Sequence, residues 1–179
     1  MGTTFMPLPR IGAAFLRPLA NAIAKNPAVA VHCPALKPSD LEFSHALGIR
    51  AAPAGSAHLL ELPLAPVVAN HLGTMHAAAQ FALAESASAA CLQRDFPQLD
   101  GRVFAVVRGA RLKYRRPAGG TLFAFAAPDE FTRTHLVPDL ATRSRAAATV
   151  RVELKDAAGH LTFAGDFEWF IAHSAPATP

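Results

Sequence analysis

The chain has 179 residues, 51% of them hydrophobic and 17% charged, an ordinary balance for one globular domain with a full core. No run approaches the roughly 20 uninterrupted apolar residues of a membrane helix, and the apolar stretch from Ile11 to Leu16, cut by Arg17, is too short for a secretory leader, so no membrane span and a cytoplasmic location are expected. The net charge is +4, and neither residues 1–39 nor residues 101–128 contain an acid, which points to an anionic partner.

Nucleic acid would fit that sign. However, no zinc-finger, basic-zipper or RNA-binding aromatic motif is present, and Arg102, Arg108, Arg111, Lys113, Arg115 and Arg116 fall on one predicted strand, not across a broad face. A small phosphorylated ligand fits better. Cys33 and Cys91 are too few for a disulfide framework or a cysteine metal site and read as thiols.

In chain order, Ile11 to Lys25 reads as a short amphipathic helix with Phe15, Leu19 and Ile23 on one side and Asn26-Pro27 as its stop. A basic targeting presequence is the alternative for this stretch, although Arg and Ser are sparse for one. With the Pro-rich connector from Cys33 to Ser39 it makes an N-terminal segment, residues 1–39. Next, His45 to Ala52 and Ala57 to Leu64 read as two short strands around the turn Pro53-Ala54-Gly55. Met75 to Gln93 is Ala-rich and apolar on nearly every face, so it reads as a long buried helix. Four strands are then expected: Val103 to Tyr114, Thr121 to Ala127, Ala147 to Lys155 and His160 to Ala172, the last two joined by the turn Asp156 to Gly159. Two strands, one buried helix and four strands suit an α+β domain over residues 40–173, with a curled antiparallel sheet around the helix. Residues 174–179 read as a disordered tail.

Glu85 is the only fully charged side chain between Met75 and Leu92. A buried carboxylate costs several kcal/mol unless it is paired, hydrogen-bonded or shifted in pKa, so its presence calls for a reason. The structural reason would be an Arg partner or a capped loop. The chemical one is that a desolvated carboxylate can activate water or attack a carbonyl itself.

The run Asn70-His71-Leu72-Gly73-Thr74-Met75-His76, leading into this helix, resembles the signature of hotdog-fold acyl-CoA thioesterases. The likeness is to the phenylacetate-pathway type and a related branch known mainly as a domain of unknown function. Those proteins carry an Asn or Gln, then His-Gly-Gly, then an acid on the central helix; here Asn70, His76 and Glu85 stand at that spacing. Flanking Glu61-Leu62-Pro63-Leu64 and Leu112-Lys113-Tyr114-Arg115-Arg116-Pro117-Ala118-Gly119-Gly120 agree, and the resemblance spans about Ser44 to Ile171. The departure is Ala77-Ala78 where the family has Gly-Gly.

The resemblance implies a hotdog fold and thioester hydrolysis. It assigns Glu85 as base or nucleophile, the Ala77 N–H as oxyanion donor and Asn70 as the amide that orients thioester or water. His76 would cap the helix or touch the ligand, with Gly73 beside the substrate. Asn70 reads equally well as a turn residue, and His76 as a structural histidine. Family members can also carry a Ser or Thr one turn after the acid; that position is Ala89 here, with Ser86 and Ser88 nearby. Arg111, Lys113, Arg115 and Arg116 would hold coenzyme A phosphates, or else form a solvated strand face. Tyr114 reads as core. His71 and His76 lack a supporting carboxylate, so no metal is expected, and the only cofactor implied is coenzyme A as part of the substrate.

Helix geometry adds an independent expectation. Ala77 and Glu85 are eight residues apart, roughly 12 Å along a helix at about 1.5 Å per residue. One helix cannot bring both to a single carbonyl. If both act, they come from different subunits, with two antiparallel central helices about a two-fold axis. A homodimer, or a tetramer built from it, is therefore expected. The alternative reading is a non-catalytic acyl-CoA or lipid-binding module, favoured by Ala77-Ala78 and by the missing hydroxyl at Ala89. A hydratase of the same fold is a weaker reading, because those enzymes resemble a different histidine-containing pattern.

Overall fold

The structure, a computed structural model, describes residues 37–174. The amphipathic helix expected over Ile11 to Lys25, most of the Pro-rich connector and nearly all of the tail lie outside the described residues. Within 37–173, six strands form one antiparallel sheet: β1 (Arg50–Ala51), β2 (Leu60–Leu62), β3 (Val103–Tyr114), β4 (Leu122–Pro128), β5 (Arg145–Lys155) and β6 (Leu161–His173). Their order is β1-β2-β4-β5-β6-β3. Three α-helices accompany them: α1 (Glu42–Leu47), α2 (Ala77–Asp95) and α3 (Glu130–Arg143).

Alternation builds the sheet. On β5, Val150, Val152 and Leu154 are fully buried while Arg151, Glu153 and Lys155 point the other way. On β6, Phe163, Phe167, Trp169 and Ile171 continue the buried face, which receives α2 through Leu83, Ala84, Ala87 and Cys91. Small side chains let the helix backbone approach the strands, and one polar tie locks them: Trp169 Nε1 donates to Ser88 Oγ at 3.0 Å, and Ser88 Oγ donates to the Glu85 carbonyl at 2.7 Å. A buried indole N–H needs such a partner.

Two expectations are corrected here. His45 to Ala52 is not one strand: α1 occupies Glu42–Leu47, and only Arg50–Ala51 is extended. Gly48, in the left-handed region at φ 81, stops the helix with its N–H on the carbonyls of His45 and Ser44, and the buried Ser44 hydroxyl donates to the Pro38 carbonyl at 2.7 Å. This local side-chain bond and the glycine stop outweigh the strand-like alternation. The second correction is α3, a helix inserted between β4 and β5 that the strand-only reading of this half left out. Asp129 caps it by accepting the Thr132 N–H at 2.7 Å, and Leu136 and Leu140 are buried one turn apart. Pro138 in its interior masked the pattern, since proline ordinarily breaks a helix.

Candidate active site

The site is built around the first turn of α2. Asn70 closes the preceding loop on itself: its Oδ1 accepts the N–H groups of Leu72 (2.9 Å) and Thr74 (3.1 Å), and its Nδ2 donates to Thr74 Oγ1 at 2.9 Å. Gly73 makes this loop possible at φ 73, a conformation that disfavours other residues. From there the chain is pinned on both sides, the Met75 N–H donating to the Ala118 carbonyl and the His76 N–H to the Val68 carbonyl, each at 2.8 Å. His76 is the N-cap, with Nδ1 accepting the Ala78 N–H at 3.0 Å. Asn70 and His76 thus each hold backbone groups of the loop and the helix start.

The N–H groups of Ala77 and Ala79 make no hydrogen bond among the described residues. Ala77 is exposed, and its N–H, without a partner among the described residues, stands at the positive end of a 19-residue helix.

Glu85 lies two turns along the same side. It is half-buried, has no ion pair or hydrogen bond through its carboxylate among the described residues, and burial pushes its carboxyl above the ordinary value. Ala77, Phe81, Glu85 and Ala89 recur every four residues and form the stripe of α2 that the sheet leaves partly or fully uncovered. Ser88 is turned away from this stripe and committed to Trp169, while Ser86 is buried.

The basic residues divide. Tyr114 and Leu112 face the helix, so the alternating Arg111 and Lys113 lie on the opposite face of β3, where Arg111 is in register with Asp166, itself bridged by Arg151 at 2.8 Å. Arg115 and Arg116 follow the strand, exposed, with both backbone N–H groups directed to the Thr162 carbonyl. Tyr114 is corrected from core to surface: it is 46% exposed, and its hydroxyl donates to the Ala77 carbonyl at 3.0 Å while its ring edges onto Phe163.

Gln80 and Phe81 are site residues that sequence reasoning passed over. The buried Gln80 amide donates from Nε2 to the Met75 carbonyl at 3.2 Å, bracing the start of the helix. Phe81 tilts against Phe167 with centroids 5.5 Å apart. The signal for Phe81 was its four-residue spacing from both Ala77 and Glu85.

A six-stranded antiparallel sheet curled around one long helix is the hotdog fold, and similar solved structures place the chain in the hotdog thioesterase-like superfamily. A protein of unknown function from Pseudomonas aeruginosa, considered a thioesterase, is 26% identical with TM-score 0.65, over 83% of this chain and 96% of that one. A thioesterase from Haemophilus influenzae is 15% identical, TM-score 0.60, over 79% and 90%. A Bacillus halodurans protein crystallised with CoA is 21% identical, TM-score 0.53, over 70% and 72%. The last two likenesses speak to the fold alone. Residues 48–171 match the DUF4442 model, a domain of unknown function, and the chain belongs to that family. No curated protein matches it. Among the described residues no helix is long and apolar enough to cross a membrane.

Proposed function

We propose that this protein hydrolyses the thioester of an acyl-CoA, or of a related acyl carrier, at two equivalent sites shared between two copies of the chain. The observation that carries the reading is Glu85, a half-buried carboxylate without a polar partner among the described residues, on the same stripe as the free Ala77 N–H. Proteins rarely leave a desolvated acid unpartnered unless the acid has work to do.

In this reading the carbonyl oxygen of the thioester sits against the Ala77 N–H of one subunit. Glu85 of the other takes a proton from water as the water oxygen bonds to the carbonyl carbon. The C–O π electrons move to the oxygen, and the N–H and helix dipole stabilise that charge. Collapse re-forms the carbonyl, breaks the C–S bond and releases the thiolate, which takes up the proton held by Glu85. The products are a carboxylic acid and a thiol. Direct attack by Glu85, followed by hydrolysis of the anhydride, balances equally and is separable by oxygen-18 labelling of the carboxylate.

Asn70 serves the site through the loop it closes, and Arg115 and Arg116, exposed just beyond the Tyr114 that bonds the Ala77 carbonyl, with Arg111 and Lys113 on the strand before them, are the bases offered to the phosphates. The binding-module reading is kept by one observation: Ser88, the nearby hydroxyl buried on α2, is spent on Trp169. Thiol release from short, medium, long and aryl acyl-CoAs, for wild type and Glu85→Gln, separates the two. Release that depends on Glu85 is expected; silence with CoA-ester binding retained would leave the binding module.

A further inference from the structure

We infer that Phe81 stands on the two-fold axis of the dimer, facing its own copy, and that the paired rings form the partition between the two acyl pockets, setting how large an acyl group each accepts. The inference rests on the proposed shared site and follows from register. If Ala77 of one antiparallel helix meets Glu85 of the other, position numbers across the axis sum to 162, and only residue 81 meets itself. Four residues, roughly 6 Å of rise, separate Phe81 from each group, and at about 100° per residue its direction falls midway between theirs.

The observed surroundings fit. Phe81 is half-buried: its ring leans on Phe167 from the sheet, yet part of it stays on the uncovered stripe. That stripe has no other large side chain between Ala77 and Glu85. The occupant proposed is a second copy of this chain, for two reasons. β3, at 12 residues, is an outer strand of the sheet that the described residues form, and antiparallel pairing with another β3 about the same axis would extend that sheet across the dimer. Large apolar side chains also stand in solvent on the loops leading into the helix, Val67 at 70% and Leu72 at 72% exposed.

Two measurements test the inference on the full chain. In a Cys33→Ser background, Phe81→Cys treated with a short bifunctional thiol reagent is expected to give a covalent dimer. Gln93→Cys, on the same stripe but roughly 36 Å from its copy in this register, is not. No cross-link at position 81, or equal cross-linking at 93, overturns the placement. For the partition, kcat/KM over the acyl-CoA panel is compared among wild type, Phe81→Leu and Phe81→Ala. The ratio of bulky to short acyl groups should rise by about tenfold or more in Phe81→Ala, with Phe81→Leu between. An unchanged ratio overturns the partition even where the cross-link forms. Silence of wild type across the panel sinks the thioesterase reading and the partition with it, while the cross-link still decides whether Phe81 meets itself.

Discussion

Replacing Glu85 by Gln should make the protein more stable and chemically inert at once. The carboxylate is half-buried, carries no ion pair or hydrogen bond among the described residues, and is raised in pKa by desolvation. Gln keeps the shape and removes the charge. Relieving one partly solvated, unpaired acid is of the order of other single stabilising substitutions, about 1 kcal/mol, which for a chain of this size is a rise in Tm of roughly 2–4 °C. The sign with pH follows from the raised value. Below the ordinary 4.5 the group is protonated both folded and unfolded, so wild type and variant should match. As pH climbs through the folded value, wild type loses stability relative to Glu85→Gln, and the gap levels off above it. Activity should fall about 10²–10⁴-fold, the usual worth of a positioned general base, or roughly 3–5 kcal/mol at 1.36 kcal/mol per tenfold. Calorimetry from pH 4 to 8 and thiol release give both numbers. A Tm that drops at neutral pH would refute the claim that Glu85 is unpaired in the assembled protein, and hydrolysis within tenfold of wild type would refute its catalytic role.

Asn70→Ala removes the side-chain hydrogen bonds to Leu72 and Thr74 that close the loop before α2; at a net 0.5–1.5 kcal/mol each, discounted for partial exposure, about 2 kcal/mol of stability should go, visible as a drop in urea midpoint. Cys91 is pushed up to about 12 by burial and by Asp95. In a Cys33→Ser background the native protein should therefore resist a disulfide reagent at neutral pH and react fully in denaturant. Ala77→Gly with Ala78→Gly should lower stability by about 1 kcal/mol or somewhat more through helix propensity, while shifting the acyl panel towards bulkier substrates, as scored by kcat/KM.

How much of this was legible depends on how local the cause was. β3 was bounded by its own alternation and ended at Tyr114 as expected, and the run through α2 was readable because an Ala-rich stretch has few other ways to fold. α1 and α3 turned on particulars that periodicity does not carry: a glycine at φ 81, a serine bonded six residues back, a proline accommodated inside a helix. The site shows the same division. Glu85 announced itself as the one charge in an apolar run. Tyr114 and Asn70 did not reveal their partners, because one bond joins β3 to a helix 37 residues earlier and the others depend on a loop closing on itself. The basic alternation on β3 was legible as a shared face for Arg111 and Lys113, but the course of the chain past the strand's end at Tyr114, which sets where Arg115 and Arg116 go, was not.

The oxyanion role assigned to Ala77 can be tested at a single atom. Ala77 is the first residue of α2, its N–H has no partner among the described residues, and its side chain is exposed. His76 before it is extended, at φ −61 and ψ 142, the region that a following proline demands. Proline is favoured at this helical position because the missing N–H would be unbonded anyway. Ala77→Pro should therefore keep the cap from His76 to Ala78, the Tyr114 bond to the Ala77 carbonyl, and a Tm within about 2 °C of wild type, a span worth under roughly 1 kcal/mol. What it deletes is the donor. Losing one oxyanion donor lowers kcat by about 10²–10³-fold, and KM for acyl-CoA should change little, since the ground-state carbonyl gains less from that bond than the developing oxyanion does. A folded Ala77→Pro with undiminished kcat would remove Ala77 from the mechanism and leave the free Ala79 N–H as the donor to examine; a fall confined to kcat would tie the chemistry to the first peptide of α2.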